Sequence, residues 1–337
     1  MDWFEKLMGF RETDYEETRA HIEVEEGRLR SRINGASYGI GSLELVSLQA
    51  LRERARAANG PHGRLNVSIV TGDVRQMHQS REHAGALFQV ASQFNLLEMV
   101  SQNVSPEQGV TRYQNDHTQG PACAIAAGAA TIYRNYFVPV DGHRGQTAKR
   151  QLDGLANLGA ALSSALELPV DNLWKMQNGY ALATQVGLDA IGRHLGMLPA
   201  NGLDDLRALL RIGIHHDVEV TEAAGKDRPL VSQCFCSALP VAYTRIPAAH
   251  WAPFALLVLE AAYEATMWAA VSNAKRGASN VVFLTLLGGG AFGNHIGWIY
   301  AAIRRALELM RPFSLDVRLV SYGHPSQELL EVIEDFH

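Results

Sequence analysis

Residues 280–300 read NVVFLTLLGGGAFGNHIGWIY. A β-branched apolar run, Val281 to Leu287, leads into Gly288-Gly289-Gly290-Ala291-Phe292-Gly293-Asn294, and an amphipathic helical pattern follows from Gly297 to Met310. Without Cβ atoms, such a backbone turns tightly and brings its N–H groups against an anion. The helix behind it adds N-terminal donors and its dipole, so phosphate is the expected guest. Gly288, Gly290 and Gly293 also fit the spacing G-x-G-x-x-G in a strand–turn–helix context. An ordinary dinucleotide-binding domain does not fit: that fingerprint opens its domain, whereas about 44 residues follow it here. Asp316 lies near the start of the next strand, not at the end where a ribose carboxylate belongs. The segment therefore reads as a phosphate loop on the last-but-one strand of another α/β sheet, or as a tight β–α turn without ligand.

Around it, strands and helices alternate. VSQCFCSALPVAY reads as a strand, Trp251 to Ala274 as a long helix, LDVRLVSYG as a strand and Gln327 to Asp335 as a terminal helix. This alternation predicts a layered α/β fold with parallel pairs. Upstream, LNVSIVTGDV and ALFQVASQFN read as strands, and PACAIAAGAATIYRNYF as a closely packed helix of small residues. Residues 140–230 carry helical patterns (Thr147 to Leu166, Tyr180 to Leu195, Leu203 to Arg211) and read as a helical insertion. Residues 21–45 read as strands, and a helix from Leu48 to Ala58 is expected to end at the break Asn59-Gly60-Pro61. The resulting division is an N-terminal extension, 1–60, packed on a core of 61–337.

Composition narrows the function. The chain has 337 residues, 47% hydrophobic and 19% charged, with net charge −5. That is enough for a full core, and the acidic balance argues against nucleic-acid or membrane-surface partners. Three cysteines exclude a dense disulfide framework. No signal-peptide pattern opens the chain, and Glu260 and Glu264 mark the longest apolar helix as a core element. A cytoplasmic protein is expected.

Four segments, in order from about residue 64 to 325, resemble the macrodomain superfamily of ADP-ribose-binding and -hydrolysing modules. They are VSIVTGDV, FQVASQFN, TQGPACAIAAGAA and the glycine loop. The resemblance extends to a divergent branch that includes bacterial-effector ADP-ribosylarginine hydrolases and poly-ADP-ribose glycohydrolase-like macrodomains. It implies a three-layer α/β/α sandwich with a mixed sheet and a catalytic domain that removes ADP-ribose from a protein side chain, arginine being one candidate. The alternative is a non-catalytic binding module for ADP-ribose or NAD metabolites. It further implies ADP-ribose as ligand or product, no required cofactor, and an ADP-ribosylated protein as partner; no residue is assigned to a metal. The first loop departs from the family pattern, being Gln119-Gly120-Pro121-Ala122 instead of a run of glycines, and the Gly-Gly-Gly-x-Gln-Glu-Glu signature is absent.

On this resemblance Asp73 takes the adenine-binding position, a cap or turn role being its alternative. Asn95 lines the distal ribose or orients water, or is a turn residue ending its strand. Asp116, just before the first loop, is either the carboxylate that stabilises an oxocarbenium-like transition state or an Asx-turn residue. The diphosphate falls to Gln119, Gly120, Pro121, Ala122 and to Gly288, Gly289, Gly290, Ala291, Phe292, Gly293, Asn294. Phe292 and Tyr322 offer aromatic faces at strand ends. His215-His216-Asp217 is unsuited to a metal, because neighbours on a strand point to opposite faces.

Overall fold

The computed structural model describes residues 1–56, 62–225 and 227–336, so the break expected at Asn59-Gly60-Pro61 lies outside the described residues. The β-branched runs form a seven-stranded mixed sheet. Its strands, numbered along the chain, are β1 (Ser42–Ser47), β2 (Asn66–Thr71), β3 (Leu87–Ala91), β4 (Arg211–Glu219), β5 (Leu230–Cys236), β6 (Val281–Leu284) and β7 (Asp316–Ser321). Their spatial order is β1-β4-β5-β3-β6-β7-β2. The pairs β5–β3, β3–β6, β6–β7 and β7–β2 are parallel, while β4 runs antiparallel to both of its neighbours. The C-terminal ends of β2, β3, β5, β6 and β7 therefore open on one edge, the edge where ligands bind in open α/β sheets.

Alternation of side chains puts a core on each face of the sheet. Cys234 and Cys236 face the helices Gln185–Met197, Ala248–Lys275 and Ile296–Met310, with Trp251, Phe254, Tyr263 and Ile303 in the same core. Phe88, Phe235 and Phe283 face the other way, against Val74, Cys123 and Ala126; the rings of Phe88 and Phe283 stack at 4.4 Å. The result is the expected three-layer α/β/α sandwich. Ala248–Lys275 is long and apolar enough to cross a bilayer, but 83% of its most apolar window is buried in this core.

Several elements differ from the sequence reading. The first sixty residues supply β1 to the central sheet as well as a separate three-stranded sheet formed by Ile22–Glu25, Arg28–Ser31 and Ser37–Gly39. The small-residue segment forms two helices, Gln119–Ala126 and Gly128–Tyr136, broken at Ala127 (φ −112°, ψ 56°). Thr147 to Leu166 is helical only from Ala156; upstream, the Leu152 amide donates to Gln146 Oε1 at 3.0 Å and not to helical backbone. Tyr180–Ala183 is a strand that pairs with Trp174–Gln177, and the helix starts at Gln185 behind a Thr184 cap.

Candidate functional site

Two cavities lie side by side along the C-terminal edge of the parallel strands. The larger, of about 300 Å³, is bounded by residues that follow β3 (Ser92, Gln93), β5 (Ala238) and β6 (Thr285 to Gly288). The smaller, of about 160 Å³, lies over the ends of β2 (Gly72, Asp73) and β7 (Val320, Tyr322). Thr118, Gln119 and Thr285 line both.

The glycine loop forms one wall of the larger cavity through Gly288, Gly290, Ala291 and Phe292. Gly288 sits at φ 75°, and a Cβ there would come within 2.4 Å of Ala238 Cβ, so only glycine fits. The loop is braced internally: the amide of Gly293 donates to Gly290 O at 3.0 Å and that of Asn294 to Gly288 O at 2.9 Å. The amides of Gly288, Gly290, Ala291 and Phe292 donate to nothing among the described residues. Those four donors are the feature an anion needs. Asn294, expected at the ligand, is buried and donates through Nδ2 to Leu239 O at 2.8 Å, tying the loop to the chain after β5. Gly289, Gly293 and Asn294 lie outside the cavity lining; they shape the loop.

The facing wall is the start of helix Gln119–Ala126. Gln119 Nε2 donates to Gln89 O at 2.8 Å, and its Oε1 accepts from the Ala91 amide at 2.8 Å, which pins the helix to the end of β3. A Cβ on Gly120 would stand 2.0 Å from Ala91 O, so glycine permits this contact. The amides of Gln119 and Gly120 are also unbonded among the described residues. Pro121 lines the larger cavity and Ala122 the smaller.

Asp116 ends the 3₁₀ turn Thr111–Asn115 and lines the larger cavity. Its Oδ1 accepts from the Thr118 amide at 2.9 Å and the Thr118 hydroxyl at 2.7 Å, so it shapes the turn and faces the cavity at once. Glu12 clamps the turn from the N-terminal segment. It accepts from the amides of Val110 (2.8 Å) and Thr111 (2.7 Å) and from the Tyr136 hydroxyl (2.8 Å).

Asp73 lies in the smaller cavity beside the exposed ring of Tyr322. Its Oδ1 caps the next helix by accepting from the Arg75 amide at 2.8 Å, and Oδ2 has no recorded partner among the described residues. Asn95 takes the turn role and not the catalytic one. It is fully buried, holds Gln151 and the Leu97 amide, and does not line either cavity; Leu96, at φ 64°, turns the chain away behind it. His215, His216 and Asp217 diverge as expected: His215 is buried, His216 faces Glu44 at 3.3 Å, and Asp217 pairs with Arg276.

Among the lining residues that sequence reasoning missed, three carry side chains suited to chemistry or recognition. Tyr180, from the inserted hairpin, and Tyr243 join Phe292 in an aromatic triangle with centroids 5.1–5.5 Å apart. The third is Glu98, buried in the larger cavity's lining. Burial pushes its carboxyl up to about 7 against the pull of Arg134, whose Nη2 lies 3.4 Å from Oε1. The signal in the sequence was a single acid inside the apolar run FNLLEMV.

No family model matches this sequence, and no curated protein matches it. Among solved structures, the chain is similar to poly(ADP-ribose) glycohydrolase from Deinococcus radiodurans in complex with ADP-ribose. The identity is 12%, coverage is 87% of this chain and 93% of the other, and the TM-score is 0.44. It is also similar to the enzyme from Thermomonospora curvata, at 11% identity, 92% and 94% coverage and TM-score 0.42. At this distance the functional reading rests on the residues of the site itself.

Proposed function

We propose that the protein binds ADP-ribose across the two cavities and hydrolyses the bond between its distal ribose and a protein side chain. The observation that carries this is the set of unbonded amides on Gln119, Gly120, Gly288, Gly290, Ala291 and Phe292, presented by two facing loops at the edge of parallel strands. Donors so arranged suit a diphosphate. The smaller cavity then takes the adenosine, with the free oxygen of Asp73 accepting the exocyclic amine and Tyr322 offering a stacking face. The larger takes the distal ribose. There Asp116 stabilises the oxocarbenium-like transition state and orients the attacking water.

We propose arginine as the linked side chain. Tyr180, Tyr243 and Phe292 present aromatic surface beside a carboxylate, a setting that suits a planar cation. The test is incubation with proteins mono-ADP-ribosylated on arginine, glutamate or serine, with calorimetry of ADP-ribose alongside. Release from the arginine-linked protein is expected. Release only from the other two would remove the arginine assignment; binding without any release would make the protein a non-catalytic ADP-ribose module. Neither binding nor release would end the reading altogether.

A further inference from the structure

We propose that Glu98 is the proton donor to the leaving group, so that the site works with two carboxyl groups in separate roles. The proposal rests on the hydrolase reading above. Glu98 lines the larger cavity directly under the first loop: a Cβ on Gly120 would come within 3.1 Å of Glu98 Cγ. The side chain is 1% exposed. Its Oε1 faces Arg134, and its Oε2 has no hydrogen-bond partner among the described residues. A buried ionised carboxylate normally has both oxygens satisfied, so the idle Oε2, shut off from solvent just behind the cavity wall, is a place for a proton, which it hands on when bound substrate opens the wall beside it. Asp116 in the same cavity is different. It already accepts two hydrogen bonds and is half-buried, which suits the group that receives a proton from water.

In the reaction, the bond from ribose C1 to the leaving atom breaks and its electron pair goes to that atom. Glu98 Oε2 delivers the proton that neutralises it. Water adds its oxygen to C1 and passes a proton to Asp116, and both carboxyl groups return to their starting states by exchange with solvent. The groups facing Glu98 are Arg134 from Gly128–Tyr136, Tyr113 from Thr111–Asn115, and Cys123 from Gln119–Ala126. Burial keeps the Tyr113 phenol and the Cys123 thiol protonated, so Arg134 is the one charge among them.

The experiment compares two substrates: a protein-linked ADP-ribose and an ADP-ribose carrying a p-nitrophenyl leaving group that departs without protonation. With wild-type protein, kcat on the first is expected to fall above about pH 7 as Glu98 ionises, and kcat on the second to lack that limb. Glu98→Gln is expected to keep ADP-ribose affinity within about threefold. It loses on the order of 100-fold or more in kcat on the protein-linked substrate and little on the nitrophenyl one. Equal losses on both substrates would make Glu98 a positioning residue and overturn the proposal, as would an unchanged kcat. Should Glu98→Gln not fold, the wild-type pH profiles decide: the same limb on both substrates overturns it. A wild-type protein that releases nothing from either substrate fails the hydrolase reading itself, an outcome distinct from an active Glu98→Gln.

Discussion

Gly290 stands in open space, with nothing within 4 Å of where its Cβ would be, and its amide is one of the free donors. A side chain can be added there without disturbing the fold, which makes the position a direct probe of the anion site. Gly290→Glu places a negative charge where the diphosphate is proposed to lie. Thermal stability is expected to stay close to wild type while ADP-ribose affinity, read by calorimetry, falls on the order of 100-fold. Undiminished affinity would refute the phosphate assignment. At this scale the sequence was legible wherever local chemistry decides the outcome. Gly288, Gly290 and Phe292 reach the cavity because a turn after a strand presents them to the sheet edge, and Asp116 because the 3₁₀ turn Thr111–Asn115 ends there. Which of its two expected roles Asn95 takes was not legible, because that depends on Gln151, 56 residues further along, which occupies its amide. Glu98 escaped notice for the same reason: its partner Arg134 and its place under Gly120 are set by tertiary packing.

Among the elements, the helix Gln119–Ala126 depends on a close approach that one residue allows. Gly120→Ala sets a methyl 2.0 Å from Ala91 O, and the helix must lift from β3 to relieve it. A loss of about 2 kcal/mol in urea-unfolding stability is expected, together with weaker ADP-ribose binding as the first loop shifts. Gly196→Ala, in the exposed last turn of Gln185–Met197 with open space around it, is the control and should stabilise by about 0.5–1 kcal/mol. Equal stability of the two variants would contradict the packing account. The strands of the last third were legible because apolar, β-branched runs bounded by turns leave little ambiguity. The hairpin at Tyr180 was not: Tyr180–Ala183 continues the apolar period of the helix behind it, and its strand state comes from pairing with Trp174–Gln177.

For the molecule as a whole, one ionic network joins distant parts of the chain. Glu264, on the central helix, accepts from Arg52 Nε and Arg305 Nη1, each at 2.6 Å, and Arg52 also holds Asp204 at 2.8 Å. Glu264 is almost wholly buried. Burial raises its carboxyl, but the two guanidinium groups outweigh that and hold it below the usual range. A carboxyl lowered by folding contributes stability above its unfolded value of about 4.3, and that contribution is lost as pH falls through the folded value. Glu264→Gln leaves two half-buried guanidinium groups without their main partner. A cost on the order of 3 kcal/mol at pH 7 is expected, shrinking towards acid pH, as read from urea midpoints across that range. A variant as stable as wild type at pH 7 would show the network to be dispensable. The sandwich architecture was legible from alternation alone, whereas the strand order was not. β1 and β4 come from segments that resembled an extension and an insertion, and only the assembled sheet reveals them as its antiparallel margin.

The smaller cavity is lined by Gly72, just past β2 at one margin of the sheet, and by Tyr322, just past β7. A nascent chain leaving the ribosome lacks this wall until Tyr322 has emerged. The pocket therefore takes shape only after β2, β3, β5, β6 and β7 have all been made, so a ligand held there would draw on segments about 250 positions apart.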